Sequence, residues 1–165
     1  MGKKYKSGMY GGKFMPFHKG HLHCLEYAVS LCDTVYLLLM HGGAQEQEIL
    51  KGNSPQMGLL SVENRVRHIA EIAARYPNVV FVDCDISDCR DANGEEDWDM
   101  ETPLVLEKCG RFDAVFGSEP AYAEYFRRAY PWATYELVDS ARNDVPISAT
   151  MVRAMSREEA KQWIV

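Results

Sequence analysis

The 165-residue chain predicts an α/β fold, an open parallel five-stranded sheet with helices on both faces. Three observations support it. Short apolar runs alternate with stretches whose apolar residues recur at helical spacing. The run over 35–40 is almost wholly apolar, as in strands buried on both faces of a parallel sheet. Glycine-rich turns follow the first two strand candidates, where strand gives way to helix.

Taken in order, residues 8–14 form the first strand and run into the turn Gly11-Gly12-Lys13-Phe14. Leu22, Leu25, Ala28 and Val29 then mark a helix over 20–31. Residues 34–40 are the second strand, with His41-Gly42-Gly43 as its turn. Ser61 is placed to cap a helix carrying Val66, Ile69, Ile72 and Ala73, although Asn64 stands where a full capping box has Glu or Gln; Pro77 ends it. The third strand is 79–82 and the fourth 114–116, entered through Gly110-Arg111-Phe112-Asp113; the fifth is 135–138. The acidic, polar segment 85–102 is too long for a simple connection and marks a functional or mobile stretch, closed by a short helix over 102–109. A last helix takes Ser148 as N-cap and continues through Trp163. In such a sheet the first strand is central and ligands sit beyond the carboxyl ends of the strands.

Composition narrows the function. A chain of this size makes one domain, 1–165, and its 47% hydrophobic and 25% charged residues are ordinary for a globular protein. No apolar run approaches the ~20 residues of a membrane span, and the basic start lacks the apolar stretch of an export signal, so the cytoplasm is expected. Net charge -6 argues against a nucleic-acid surface. Five cysteines without a Cys-x-x-Cys pair fit reduced, buried thiols.

Two stretches at opposite ends carry chemistry. In Gly11-Gly12-Lys13-Phe14-Met15-Pro16-Phe17-His18-Lys19-Gly20-His21, glycines allow close backbone approach to an anion, and the following helix offers amides and partial positive charge. His18 and His21 can donate to phosphate oxygens, more strongly if the anion draws them toward the protonated form. In Ile147-Ser148-Ala149-Thr150-Met151-Val152-Arg153, two hydroxyls stand at another helix start with a guanidinium one turn on. Together they would bracket a triphosphate.

These stretches resemble the HxGH and ISxTxxR signatures of the nucleotidylyltransferase superfamily. Tyr10 through Phe14, Gly117-Ser118-Glu119-Pro120-Ala121-Tyr122 and Val138-Asp139-Ser140-Ala141-Arg142 further resemble the nicotinamide mononucleotide adenylyltransferase domain of the NadR type. The resemblance implies a Rossmann-like domain that transfers AMP from ATP, with Mg²⁺, to nicotinamide mononucleotide, releasing pyrophosphate. It implies catalytic roles for His18, His21 and Arg153, and nucleotide or phosphate contacts from Gly11, Gly12, Lys13, Phe14, Gly20, Gly117, Ser118, Ile147, Ser148 and Thr150. Acceptor contacts fall to Trp98, Arg65, Glu119, Tyr122 and Arg142. Trp98 matches a tryptophan that stacks on nicotinamide; Arg65 and Arg67 fall two apart and cannot share a helix face, so only one is expected at the site, and Arg65 is taken as that one.

Other readings remain open. The resemblance leaves room for another acceptor, such as phosphopantetheine, a sugar or polyol phosphate or flavin mononucleotide, and for a non-catalytic nucleotide sensor. An aminoacyl-tRNA synthetase fragment would need a KMSKS-like loop and a basic surface, which are missing. The three histidines near Gly20 are poorly spaced for zinc, and the aspartates of 83–97 read as a solvated loop, so no protein-held metal is expected and Mg²⁺ arrives with ATP. His23, His41, Trp132 and Trp163 read as structural or turn residues, with nucleotide contact open for His41. Partners are small molecules, with no membrane and possible assembly into a homo-oligomer; the chain is either a lone transferase or a domain cut from a longer protein that also carries a kinase.

Overall fold

The computed structural model describes residues 2–165. Strands β1 (Tyr5–Gly12), β2 (Cys32–His41), β3 (Val79–Asp85), β4 (Ala114–Gly117) and β5 (Thr134–Leu137) all pair in parallel, in the order β3-β2-β1-β4-β5. The central position of β1 agrees with the sequence. Because the chain steps outward from β1 in one direction and later returns to its other side as β4, the strand order reverses between β1 and β4. That reversal opens a crevice at the carboxyl ends of these two strands.

Side-chain alternation on β2 distributes the core. Val35, Leu37 and Leu39 pack beneath α1 (Lys19–Leu31) and α3 (Val62–Ala73), while Leu38 faces the opposite layer of α4 (Trp98–Cys109) and α5 (Ala123–Ala129). A third apolar cluster, Ile147, Val152 and Ala160, joins α6 (Ala149–Ala154) to α7 (Arg157–Ala160). The remaining helix, α2 (Ala44–Leu50), follows β2. All five cysteines are buried and unpaired. No helix among the described residues is long and apolar enough to cross a membrane.

Several boundaries differ from expectation, each for a local reason. β1 starts at Tyr5 and stops at Gly12, because Phe14 takes a left-handed φ of 51° that ends extended pairing. α4 begins at Trp98 instead of residue 102, since Asp97 caps it by accepting from the Asp99 amide at 3.0 Å. Helices α2 and α5 were not expected: neither carries a clear apolar stripe, and the buried residue of α2 is Glu46. The single closing helix is two, since Met155 leaves the helical region at ψ 158° and Ser156 starts α7 by accepting from the Glu159 amide at 3.2 Å.

Candidate active site

A cleft of about 390 Å³ opens at the β1/β4 reversal. Gly11 and Gly12 line it from the end of β1, Lys13 and Phe14 from the turn that follows, and His18, Gly20 and His21 from the start of α1. Gly117 enters at the end of β4 with Ser118 and Glu119 just after it, and Arg142, Ser148, Thr150 and Arg153 come from the C-terminal region. Trp98 and Tyr122 complete the sequence-derived set. The two signatures therefore share one cavity, and three hydrogen bonds hold the chain ends together. Arg153 Nη1 donates to the Met15 carbonyl at 2.9 Å. The Lys19 amide donates to Trp163 O at 2.8 Å and the Val165 amide to Phe17 O at 3.4 Å, the pair making an antiparallel bridge between His18 and Ile164.

His18 is itself the N-cap of α1. Its Nδ1 accepts from the Gly20 amide at 3.0 Å and the His21 amide at 3.4 Å, and His21 Nδ1 accepts in return from the His18 amide at 3.1 Å. This corrects the expectation of unpaired amides at that helix start: the imidazoles have taken them. Because each Nδ1 is an acceptor, the proton of each neutral ring sits on Nε2, leaving an Nε2–H to offer to the cleft. The rings stack with centroids 3.7 Å apart. Burial and the nearby Arg142 charge lower the His18 pKa to about 4; burial, His18 and Arg142 hold His21 well below the ordinary value. Both rings are therefore neutral donors as the fold holds them. Gly20 has a steric reason: a Cβ there would lie 2.8 Å from His18 Cε1.

At the C-terminal signature, Ser148 Oγ caps α6 by accepting from the Met151 amide at 3.2 Å. Its hydroxyl proton, like that of Thr150, remains available. Thr150 Oγ1 accepts from Arg153 Nη2 at 3.3 Å, so the half-buried guanidinium is held by Met15 O and Thr150 with N–H groups to spare. Arg142 adopts a left-handed φ of 54° and donates to Ile147 O at 2.6 Å. Its loop is knitted by Asp139, whose carboxylate accepts from the amides of Asn143, Asp144 and Val145.

The opposite end of the cleft is aromatic and acidic. The Trp98 ring stands nearly perpendicular to Tyr122 (centroids 5.0 Å) and Tyr125 (5.2 Å), and Trp98 Nε1 donates to Glu96 Oε2 at 2.8 Å. Tyr125 OH pins α4 by donating to Trp98 O at 2.8 Å. Glu101, one turn beyond Trp98, is buried at 6% exposure, and burial together with Glu96 pushes its carboxyl up to about 7. Sequence reasoning missed Glu96, Glu101 and Tyr125; the i, i+3 spacing of Trp98 and Glu101 was the available signal.

Two assigned residues do not reach the cleft. Arg65 is 1% exposed and donates to Leu60 O and Lys13 O, both at 2.9 Å, and to Glu46. Its acceptor-binding assignment is corrected to a structural one, because the side chain is buried away from the cleft and each of its three nitrogens already donates within the fold. Glu46 also accepts from the Gly42 amide at 2.6 Å, so the pair ties the turn after β1 to the turn after β2. Ile147 is fully buried with its amide on Val145 O, which leaves it supporting α6 from beneath. Arg67 bonds Asn64 at the surface. His41 pairs with Asp83 outside the cleft lining, and Trp132 donates to Phe112 O at 3.0 Å. Among the described residues, the group of three potential metal ligands is His23, Asp139 and Asp144, which are not in the cleft lining.

Comparison with known proteins agrees with this geometry. A nicotinamide-nucleotide adenylyltransferase of Thermococcus kodakarensis is 27% identical over 150 residues, covering 90% of this chain and 71% of that protein. A phosphopantetheine adenylyltransferase of Mycoplasma capricolum is 31% identical over 77 residues, 47% of each chain. The structure of a NadR protein in complex with NAD and AMP-PNP superposes with TM-score 0.69 at 24% identity; it covers 99% of this chain, which spans 45% of that one. Residues 9–155 match the cytidylyltransferase-like family, and the chain belongs to it, within the nucleotidylyltransferase superfamily that its two signatures resemble.

Proposed function

We propose that this chain, acting as one domain, transfers AMP from MgATP to nicotinamide mononucleotide, forming NAD and pyrophosphate. The observation that carries this reading is the meeting of His18, His21 and Arg153 in one cleft whose far end is an aromatic box. A phosphate oxygen of the mononucleotide bonds to the α-phosphorus of ATP in line with the leaving group, and the bond to the β-phosphate bridge oxygen breaks. The acceptor is already an anion, so no base is needed and catalysis rests on positioning and charge stabilisation.

The two Nε2–H groups donate to the α-phosphoryl oxygens as charge builds there. Their neutral state suits this role: they act without first acquiring a proton, and their Nδ1 bonds to the helix amides keep them from turning away. Thr150, Ser148 and Arg153 hold the departing pyrophosphate, and Lys13 and Arg142 offset the remaining negative charge. Mg²⁺ enters as part of the substrate. The chemistry of the C-terminal signature, hydroxyls and a guanidinium without carboxylates, suits phosphate oxygens and not a protein-held cation.

The test is pyrophosphate release from MgATP with acceptors added singly: nicotinamide mononucleotide, 4′-phosphopantetheine and flavin mononucleotide. Release with the first supports the reading. Release only with another acceptor would replace the substrate, and silence with all would leave a nucleotide-sensing domain.

A further inference from the structure

The aromatic end of the cleft is lined by two carboxyl groups, Glu96 and Glu101, to which the adenylyl transfer above gives no role. Glu101 is buried there, its carboxylate accepts no hydrogen bond from the described residues, and it lines the cleft alongside Glu96 and Trp98. The placement of Glu96 is also built in. A Cβ at Gly43 would fall 2.0 Å from Glu96 Oε1, so the side chain occupies space that only a glycine leaves. Its other oxygen holds the indole N–H, which enriches the ring face in electron density.

A corner of perpendicular aromatic rings backed by one buried and one half-buried carboxylate suits a flat cation. Of the two bases the proposed reaction brings together, adenine is neutral and the pyridinium of nicotinamide mononucleotide carries a permanent positive charge. Electrostatics therefore assigns the pyridinium to this corner. We propose that Trp98, Tyr122 and Tyr125 with Glu96 and Glu101 read the positive charge of the acceptor ring, and that Glu101 sets a preference for the nicotinamide over the nicotinate mononucleotide.

This rests on the adenylyltransferase reading. The nicotinate ring adds a carboxylate that would enter a pocket already holding two, where like charges are costly because little water screens them. Lys13 is the cation that lowers the Glu101 pKa, and Asp97 adds to the negative field. A carboxyl that burial pushes up to about 7 and that lines the cleft without a hydrogen-bond donor costs stability when ionised, which gives this residue a functional rather than a packing explanation.

The experiment compares three acceptors with the unmodified protein and MgATP: nicotinamide mononucleotide, its reduced dihydro form and nicotinate mononucleotide. The reduced form keeps the carboxamide but has a neutral ring, so it isolates charge. The oxidised nucleotide is expected to exceed the reduced one by about tenfold in kcat/KM and nicotinate by about 100-fold, chiefly through KM. In Glu101→Gln, KM for the oxidised nucleotide rises about tenfold and the oxidised-over-reduced ratio falls toward one. Equal use of oxidised and reduced forms by the unmodified protein, or a Glu101→Gln variant that keeps the full ratio, overturns the proposal. Release of pyrophosphate from none of the three overturns the nicotinamide mononucleotide reading on which the proposal rests, and is recognisably different from both.

Discussion

The two ends of the cleft are buried alike yet wired in opposite ways. At the phosphate end, His18 and His21 are held neutral with pKa values below the ordinary one, and every Nδ1 is spent capping α1. At the aromatic end, burial drives Glu101 upward to about 7, with only the nearby Lys13 charge pulling the other way and no hydrogen-bond donor to it among the described residues. The first arrangement makes the reactive groups part of the fold, so losing one costs structure and rate together. The second leaves a carboxyl whose ionisation costs stability, which under the proposal above serves recognition.

The largest expected effect would break the comparison by removing what both ends share. Arg65→Met strands Glu46 in the core and releases the Lys13 and Gly42 turns together. Denaturant unfolding should show a loss of about 3–5 kcal/mol, against well under 1 kcal/mol for the exposed Arg67→Met. Next, His21→Ala should lower turnover by ~10² or more through the lost phosphate donor. It should also cost about 1 kcal/mol of stability, because its Nδ1 no longer pairs with the His18 amide. A variant with a near-normal rate would remove His21 from the chemistry.

A third prediction sharpens the contrast through pH. His18 binds its proton in the unfolded chain below 6.5 but in the folded chain only near 4, so its share of stability is full above 6.5 and is lost as pH falls toward 4. Glu101 runs the other way: with an ordinary value of 4.5 and a folded value near 7, its share is present below 4.5 and lost as pH rises through 7. Thermal midpoints should therefore rise more steeply with pH in Glu101→Gln than in the unmodified protein, with the variant more stable at pH 8 and similar at pH 4. The smallest effect is on rate. With both imidazoles neutral, kcat should change less than about twofold between pH 6 and 8, with no inflection at the ordinary histidine value.

The sheet, the central first strand and most of the cleft were legible because periodicity and glycine turns report on backbone demands that act locally. The roles inside the site were less so. Arg65 carried the same side chain whether it reached substrate or core, and the deciding partner, Glu46, lay on a helix with no apolar stripe to announce it. The capping of α1 by His18 was hidden for a related reason, since histidine is an uncommon N-cap and the Nδ1 that accepts is the atom expected to hold a proton. Glu101 read as one acidic residue among many in an acidic segment. Only its burial distinguishes it from Asp99, which is exposed and pairs with Arg128.

The central claim is that both ends of the chain hold one polyphosphate in a single cleft. A crystal structure of the protein with an unreactive ATP analogue tests it most directly. The expected result is phosphate oxygens roughly 2.6–3.2 Å from His21 Nε2 and from the Arg153 guanidinium in the same molecule. Phosphates that contact one signature while the other faces solvent would contradict it.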